Sequence, residues 1–363
     1  MKLFVVGSPY WYWSMRPREC AETGHVTNQS DDPLDEHHSY FYHLFLKYGV
    51  VDEVVIYSER KTFDGIQHIP DHVACAGGVM RLDYDLDHNE LKSSPKSLVY
   101  CRHNLPKVRQ FGDHFRIIKA IADGFPKSPF WNRLPTYVPG LCRNRRILPE
   151  EHELVLSEGP YNQRFLPRGS SSVVWPTLSA QSQYVSAPEK KYDWAISASF
   201  ARRKNIYGFC KGLIDNGLGH LKGCIMYLAH ENYTAELGRF REQLMPHLDI
   251  ELHPNANCES KMHRLCESRV LVSAATEDSG PRSVIEAGQA GIPVLALASH
   301  GSASYLVRPG VNGELTWQPD QLPRILGDML DRIDQYDCSI NRELLDEQRC
   351  FAPVIDAVHQ EFT

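Results

Sequence analysis

"RVLVSAATEDSGPRSVIEAGQAGIPVLAL", from Arg269 to Leu297, is the stretch on which the reading of this chain turns. It opens with an apolar, β-branched run that reads as a buried strand ending near Ala275. A turn follows over Asp278 to Pro281, and a helix is expected from about Arg282. The first amides of a helix have no partner within it, and Pro281 suits an early helical position because it has no amide hydrogen to lose. Gly280 lets a ligand come close to the backbone. "IPVLAL" is then a second buried strand. Strand, turn, helix and strand make the unit of a parallel sheet, and the amides at such a turn favour phosphate or sugar oxygens.

Two acids flank that turn. Asp278 precedes the helix, and Glu286 lies about one turn inside it, too deep to cap and on one face with Arg282 at i,i+4. A carboxylate accepts paired hydrogen bonds from adjacent hydroxyls, as in the ribose grip of dinucleotide-binding folds. The arrangement therefore suggests a division of labour, with helix amides taking an anion and acids taking hydroxyls beside it. The plainer alternatives are a helix cap for Asp278 and an exposed ion pair with Arg282 for Glu286.

Outward from this stretch the same alternation continues. "YDWAISAS", "KGCIMYLAH", "LDIELHP" and "RVLVSAA" read as strands, separated by helices in "NIYGFCKGLIDNG", "ENYTAELGRFREQLMPH" and "CESKMHRLCES". The first half has strands in "KLFVVG", "DEVVIYSER", "KSLVYCRHN", "HELVLSEG" and "SSVVWP", with a helix in "EHHSYFYHLFLKYG". A polar, aperiodic segment from Thr177 to Lys191 suits a linker. The expectation is an α/β protein of two Rossmann-like domains, 1–177 and 190–349, with a helix at about 350–363 packing back on the first. In open sheets of this kind ligands sit at the C-terminal strand ends. Ser8–Pro33 and Phe125–Arg146 are long, aperiodic and rich in aromatic or basic residues, as functional loops often are.

Composition narrows the classes. The chain has 363 residues, 42% of them hydrophobic, enough for two cores. A net charge of -6 argues against general nucleic-acid binding. The 10 cysteines are scattered without a C-x-x-C pair, which fits reduced thiols and a cytoplasmic setting. No H-E-x-x-H or Cys/His cluster suggests a metal. The run Arg143, Arg145, Arg146 reads either as a solvated face or as a peripheral contact with an anionic membrane surface.

The spacing of Asp278 and Glu286 resembles the E-x7-E motif of retaining glycosyltransferases of family 4, which have the GT-B fold. "EAGQAGIPVLAL" and "GSASYLVRPGVNGEL" are similar to the segments that follow it in that family. The resemblance implies two Rossmann-like domains facing each other across a cleft. It also implies metal-independent sugar transfer, with retention, from a UDP- or GDP-linked sugar to a glycan, lipid-linked or small-molecule hydroxyl. Glu286 inherits the ribose and Asp278 the donor hexose, although Asp stands where the family has Glu.

"SASFARRKN" is similar to the family's diphosphate-binding segment, with Lys204 at the lysine position and Ser199 where an arginine is usual. Arg202 or Arg203 is expected to supply the second cation, alongside Gly280, Pro281, Arg282 and Ser283 at the helix start. The resemblance further implicates His253 to Asn255 at the base, His103 in catalysis and Gly7 near the donor; the paired glycines usual near Gly7 are missing. Two other readings are a nucleotide-sugar 2-epimerase, suggested by "EDSGPRSVIEA", and a non-catalytic nucleotide-sugar-binding protein.

Overall fold

The apolar runs become the inner strands of two sheets. The computed structural model describes residues 1–6, 18–19, 26–27, 37–57, 72–75, 78–83, 90, 97–101, 115–121, 153–157, 171–175, 178, 189–229, 231–256, 258–276, 282–298 and 303–362. The chain divides into two units. One comprises Met1–Arg16, Asp32–Ala180 and Glu347–Thr363, and the other Pro17–Asp31 and Gln181–Asp346.

In the first unit, β1 (Lys2–Val6) lies between β4 (Glu53–Tyr57) and β7 (Ser97–Cys101), parallel to both. A short antiparallel pair, β2 (Arg18–Glu19) with β3 (Val26–Thr27), falls in the second unit. The remaining strands of the first sheet are β5 (His72–Cys75), β6 (Gly78–Asp83), β8 (Phe115–Ile121), β9 (Glu153–Ser157) and β10 (Ser171–Val174). Their order is β10-β9-β8-β7-β1-β4-β6-β5, and only the β5–β6 edge pair is antiparallel. Leu3, Phe4 and Val5 are buried in succession, as are Val54, Val55 and Ile56, because central parallel strands are covered on both faces.

Strands β5, β6 and β8 are absent from the sequence reading. β6 hides its character behind Arg81, which reaches Glu53 on the adjacent β4 through Nε at 3.0 Å and Glu90 through a second nitrogen at 2.9 Å. Charge satisfied across strands does not look apolar in a sequence.

Helix α1 (His37–Lys47) packs on this sheet, with Tyr40, Phe41, Tyr42 and Phe45 all buried. The terminal helix α9 (Glu347–Phe362) docks on it. Phe351 is fully buried, with ring centroids of Phe45, Tyr48, Trp175 and Phe41 at 5.1, 5.5, 5.7 and 5.9 Å. Glu347 in the first turn of α9 accepts hydrogen bonds from Tyr48 Oη at 2.7 Å, Lys47 Nζ at 2.5 Å and Tyr40 Oη.

The second unit holds a six-stranded, wholly parallel sheet. Its strands are β11 (Tyr192–Ser197), β12 (Gly223–Tyr227), β13 (Ile250–Pro254), β14 (Ser268–Ser273), β15 (Val294–Leu297) and β16 (Gly313–Thr316). The order is β13-β12-β11-β14-β15-β16, so counted within the unit it runs 3-2-1-4-5-6, the doubly wound arrangement. Helices α2 (Ile206–Asp215), α3 (Thr234–Gln243) and α7 (Leu322–Asp331) share one core with Trp194, Phe200 and Val270. Helices α4 (Cys258–Cys266) and α5 (Arg282–Ala290) pack on β14 outside that core, and the short α6 (Ala303–Leu306) and α8 (Ser339–Leu344) pack on α5.

No helix among the described residues is long and apolar enough to cross a membrane. Cys210, Cys224, Cys266, Cys338 and Cys350 are free thiols. Burial pushes the Cys224 thiol up to about 12, so it stays protonated.

The docking of α9 gives two expected outcomes. Phe351→Ala is expected to destabilise the first unit by about 3–5 kcal/mol, read from native-state hydrogen exchange over residues 40–47. A loss below about 1 kcal/mol would contradict the packing described. Burial opposes the charge on Glu347, but hydrogen bonds from Lys47, Tyr40 and Tyr48 outweigh it and hold the carboxyl below its usual range. A depressed carboxyl stabilises the fold above its unfolded pKa and loses that contribution as pH falls through its folded value. Glu347→Gln is therefore expected to be less stable than wild type at pH 7, with the gap closing below about pH 4.

Candidate functional site

Strand order reverses between β11 and β14, which pair directly in parallel, Trp194 opposite Val270. The chain leaves both strands at the same edge of the sheet and departs to opposite sides, which opens the backbone there to a ligand.

After β11, Phe200 is buried, with its ring 5.1 Å from Tyr227 and 5.2 Å from Phe240. That anchor fixes the next residues, Arg202–Lys204, in a single 3-10 turn. Asn205 closes the turn in the left-handed region at φ 52, where Asn is tolerated better than most residues, and α2 starts at Ile206. The carbonyl of Arg203 accepts hydrogen bonds from Thr276 N at 2.8 Å and Thr276 Oγ1 at 3.2 Å. The basic turn is thus tied to the segment leaving β14, two residues before Asp278. Arg202 and Arg203 are exposed, while Ser199 and Lys204 are half-buried. Arg202 leans toward α3, its Nε 3.5 Å from Glu236 Oε1.

Helix α5 begins at Arg282, where the sequence places it, with Arg282 exposed and Ser283 half-buried in its first turn. Its far end shows why the helix stops. Gly291 adopts φ 69, Ile292 N donates to Ala287 O at 3.1 Å and Gly291 N donates to Gly288 O at 3.2 Å, which is a Schellman cap. Gly313 serves packing: a Cβ there would lie 2.0 Å from Val294 O.

Glu286 is not the exposed acid of the plainer alternative. Its side chain is 7% exposed, and its carboxylate forms an ion pair with Lys261 of α4, itself 19% exposed. Taking one partner from such a pair typically costs about 3–5 kcal/mol, because the other is left charged and dry. Sequence reasoning missed Lys261. The available signal was its place beside the buried Met262 and Leu265 on α4, where a solvated lysine is not expected.

At the exits of β12 and β13, Asn255 bridges two loops. Its N donates to Tyr227 O at 2.7 Å, and its Oδ1 accepts from Ala229 N at 2.9 Å. Asn255 is buried and left-handed at φ 50, and its Nδ2 has no hydrogen-bond partner among the described residues. His253 stands 3.5 Å from Glu251 Oε2. Burial and then Arg264 push its imidazole below the usual range, against the pull of Glu251, so it is neutral at pH 7.

The edge of one sheet therefore gathers Ser199, Arg202, Arg203, Lys204, Arg282 and Ser283, with Glu286 one turn deeper and Asn255 on the neighbouring exits. Gly7, His103, Asp278, Gly280, Pro281 and the run Arg143, Arg145, Arg146 lie outside the described residues.

No protein-family model and no curated protein matches the chain. Solved structures do. Sucrose-phosphate synthase from Thermosynechococcus elongatus is 12% identical with a TM-score of 0.68, over 99% of this chain and 98% of that one. The lipopolysaccharide outer core galactosyltransferase WaaB in its apo form is 14% identical with a TM-score of 0.59, over 99% and 100%. Anabaena HepE in complex with UDP and glucose is 13% identical with a TM-score of 0.55, over 100% and 98%. Likeness at this identity establishes the fold: an α/β protein with parallel sheets and the GT-B fold of glycosyltransferases.

The Asn255 bridge yields an expected outcome of its own. Asn255→Ala is expected to cost about 1–3 kcal/mol by orphaning the Ala229 amide and straining a left-handed position. Asn255→Gly, which orphans the same amide but tolerates the left-handed backbone, is expected to cost less. Thermal denaturation measures both, and equal costs would contradict the backbone part of this account.

Proposed function

We propose that the chain is a retaining glycosyltransferase that transfers a sugar from a nucleotide-diphosphate sugar to an acceptor hydroxyl. The observation that carries this reading is the juxtaposition at the β11–β14 reversal. A basic 3-10 turn, a helix start and a buried carboxylate one turn deeper supply partners for the diphosphate and the ribose of one donor. The GT-B fold supports it, as do the structural neighbours sucrose-phosphate synthase and the galactosyltransferase WaaB. HepE has been solved with UDP-glucose, which makes a UDP-sugar the leading donor here.

In this reading the α5 amides, Ser283 and Lys204 hold the diphosphate. Arg203 is the better second cation, because its backbone is clamped by Thr276 while Arg202 leans toward Glu236. Removing one such donor to a leaving oxyanion typically costs about 2.7–4 kcal/mol of transition-state stabilisation. Glu286 accepts from ribose hydroxyls, Asn255 and His253 stand nearest the base, and Asp278 faces the transferred sugar. The first unit takes the acceptor, and by the family resemblance His103 would serve catalysis and Gly7 the donor. The acceptor oxygen attacks the anomeric carbon on the face from which the diphosphate departs, and a phosphate oxygen takes the hydroxyl proton. Peripheral membrane contact through Arg143, Arg145 and Arg146 belongs to the same proposal if the acceptor is lipid-linked.

A thermal-shift panel of UDP, GDP, ADP and their glucose conjugates tests the reading. Donor at about 100 times its Kd stabilises the folded protein by about 2.7 kcal/mol, a rise of several degrees. Glu286→Ala is expected to abolish both the shift and sugar transfer while leaving the circular dichroism spectrum unchanged. No shift with any compound, or full activity in that variant, would overturn the assignment. Binding with neither transfer nor slow donor hydrolysis would instead identify a non-catalytic nucleotide-sugar-binding protein.

A further inference from the structure

We infer that Lys261 is a positioning residue for nucleotide binding: its ammonium group orients and neutralises Glu286, so that a buried carboxylate can grip ribose hydroxyls next to a diphosphate. The inference rests on the donor site proposed above, and it concerns a residue outside the motifs of that site.

The argument begins with charge. Glu286 is four residues beyond Arg282, so it lies about 6 Å along α5 from the amides that would hold the diphosphate. A bare carboxylate at that distance, shielded from water, repels the very anion the helix start attracts. Uncompensated, the two halves of the site would work against each other.

Lys261 resolves the conflict. It comes from a different helix, α4, and its Nζ pairs with Glu286 Oε1, which leaves Oε2 for a ligand. The pair is neutral overall, so a diphosphate beside it meets a dipole in place of a net negative charge. Arg282 does not substitute for it, being exposed at the helix start where the anion would sit. A buried ion pair seldom adds stability that apolar side chains of equal volume would not provide. Here its geometry matches a need for an ionised, fixed acceptor.

The test compares ribose with deoxyribose. Binding of UDP and 2′-deoxy-UDP, and of GDP and 2′-deoxy-GDP, is measured by calorimetry for wild type, Lys261→Met, Lys261→Arg, Glu286→Gln and the Lys261→Met/Glu286→Gln double variant. Wild type is expected to prefer the ribonucleotide by about tenfold or more, the scale of a charge-assisted hydrogen bond. Lys261→Met is expected to bind UDP about tenfold more weakly and to lose most of that preference. Lys261→Arg, which keeps the charge, is expected to recover most of it.

A merely structural lysine would lower both affinities together and leave the ratio unchanged, which would overturn the inference. The double variant keeps the test sharp if Lys261→Met folds poorly, because it leaves no lone buried charge. It is expected to match Glu286→Gln alone, whereas a further loss would show that Lys261 acts apart from Glu286. If Glu286→Gln keeps the wild-type preference while Lys261→Met loses it, the ribose role of Glu286 fails and this inference with it. If Glu286→Gln loses the preference and Lys261→Met keeps it, only the inference about Lys261 fails.

Discussion

The proposed site in the second unit depends on one constraint: β11 and β14 are hydrogen-bonded neighbours running the same way, although β12 and β13 separate them in sequence. Parallel neighbours release their following loops at the same sheet edge, and the helices after these two strands diverge. The basic turn at Arg202–Lys204 and the start of α5 are therefore brought together by topology, and their proximity needs no direct contact between side chains. The hydrogen bonds from Thr276 to the Arg203 carbonyl convert that proximity into a fixed geometry. Phe200 then ties the turn to the core, so the position of the cations is set by packing.

The buried pair of Glu286 and Lys261 belongs to the same economy of charge. A sheet edge that collects amides and cations suits an anion, and a carboxylate placed there is tolerable only with a counter-ion. α5 and α4 meet in a way that supplies one, while the Schellman cap at Gly291 ends α5 and turns the chain back toward β15. In the proposed site stability and recognition would be coupled at this point. The ion pair that makes Glu286 affordable to bury also holds its carboxylate in place.

Much of this architecture was legible in the sequence, and the gaps have physical causes. Continuous apolar runs such as "KLFVVG" and "IPVLALA" mark strands covered on both faces, and they proved to be β1 and β15. β6, beside the edge strand β5, escaped notice because it carries a charge that neighbours satisfy, as Arg81 is by Glu53 and Glu90. In the proposed site, α5 and Glu286 could be read because the spacing within Arg269–Leu297 fixes them, and the cations at Arg202–Lys204 because "SASFARRKN" resembles a family segment. The Lys261 partnership and the Thr276 clamp could not, since both join residues whose meeting depends on helix packing and strand order. Asn255 was legible only as a residue near a strand end; its left-handed backbone and the Ala229 bond emerge from the fold.

The most direct measurement is a crystal structure of the full chain soaked with UDP-glucose. The account expects the diphosphate within hydrogen-bond distance of the first α5 amides and of Lys204, with a ribose hydroxyl on Glu286 and Lys261 still on its other carboxylate oxygen. Electron density for the nucleotide at any place remote from the β11–β14 edge would contradict it.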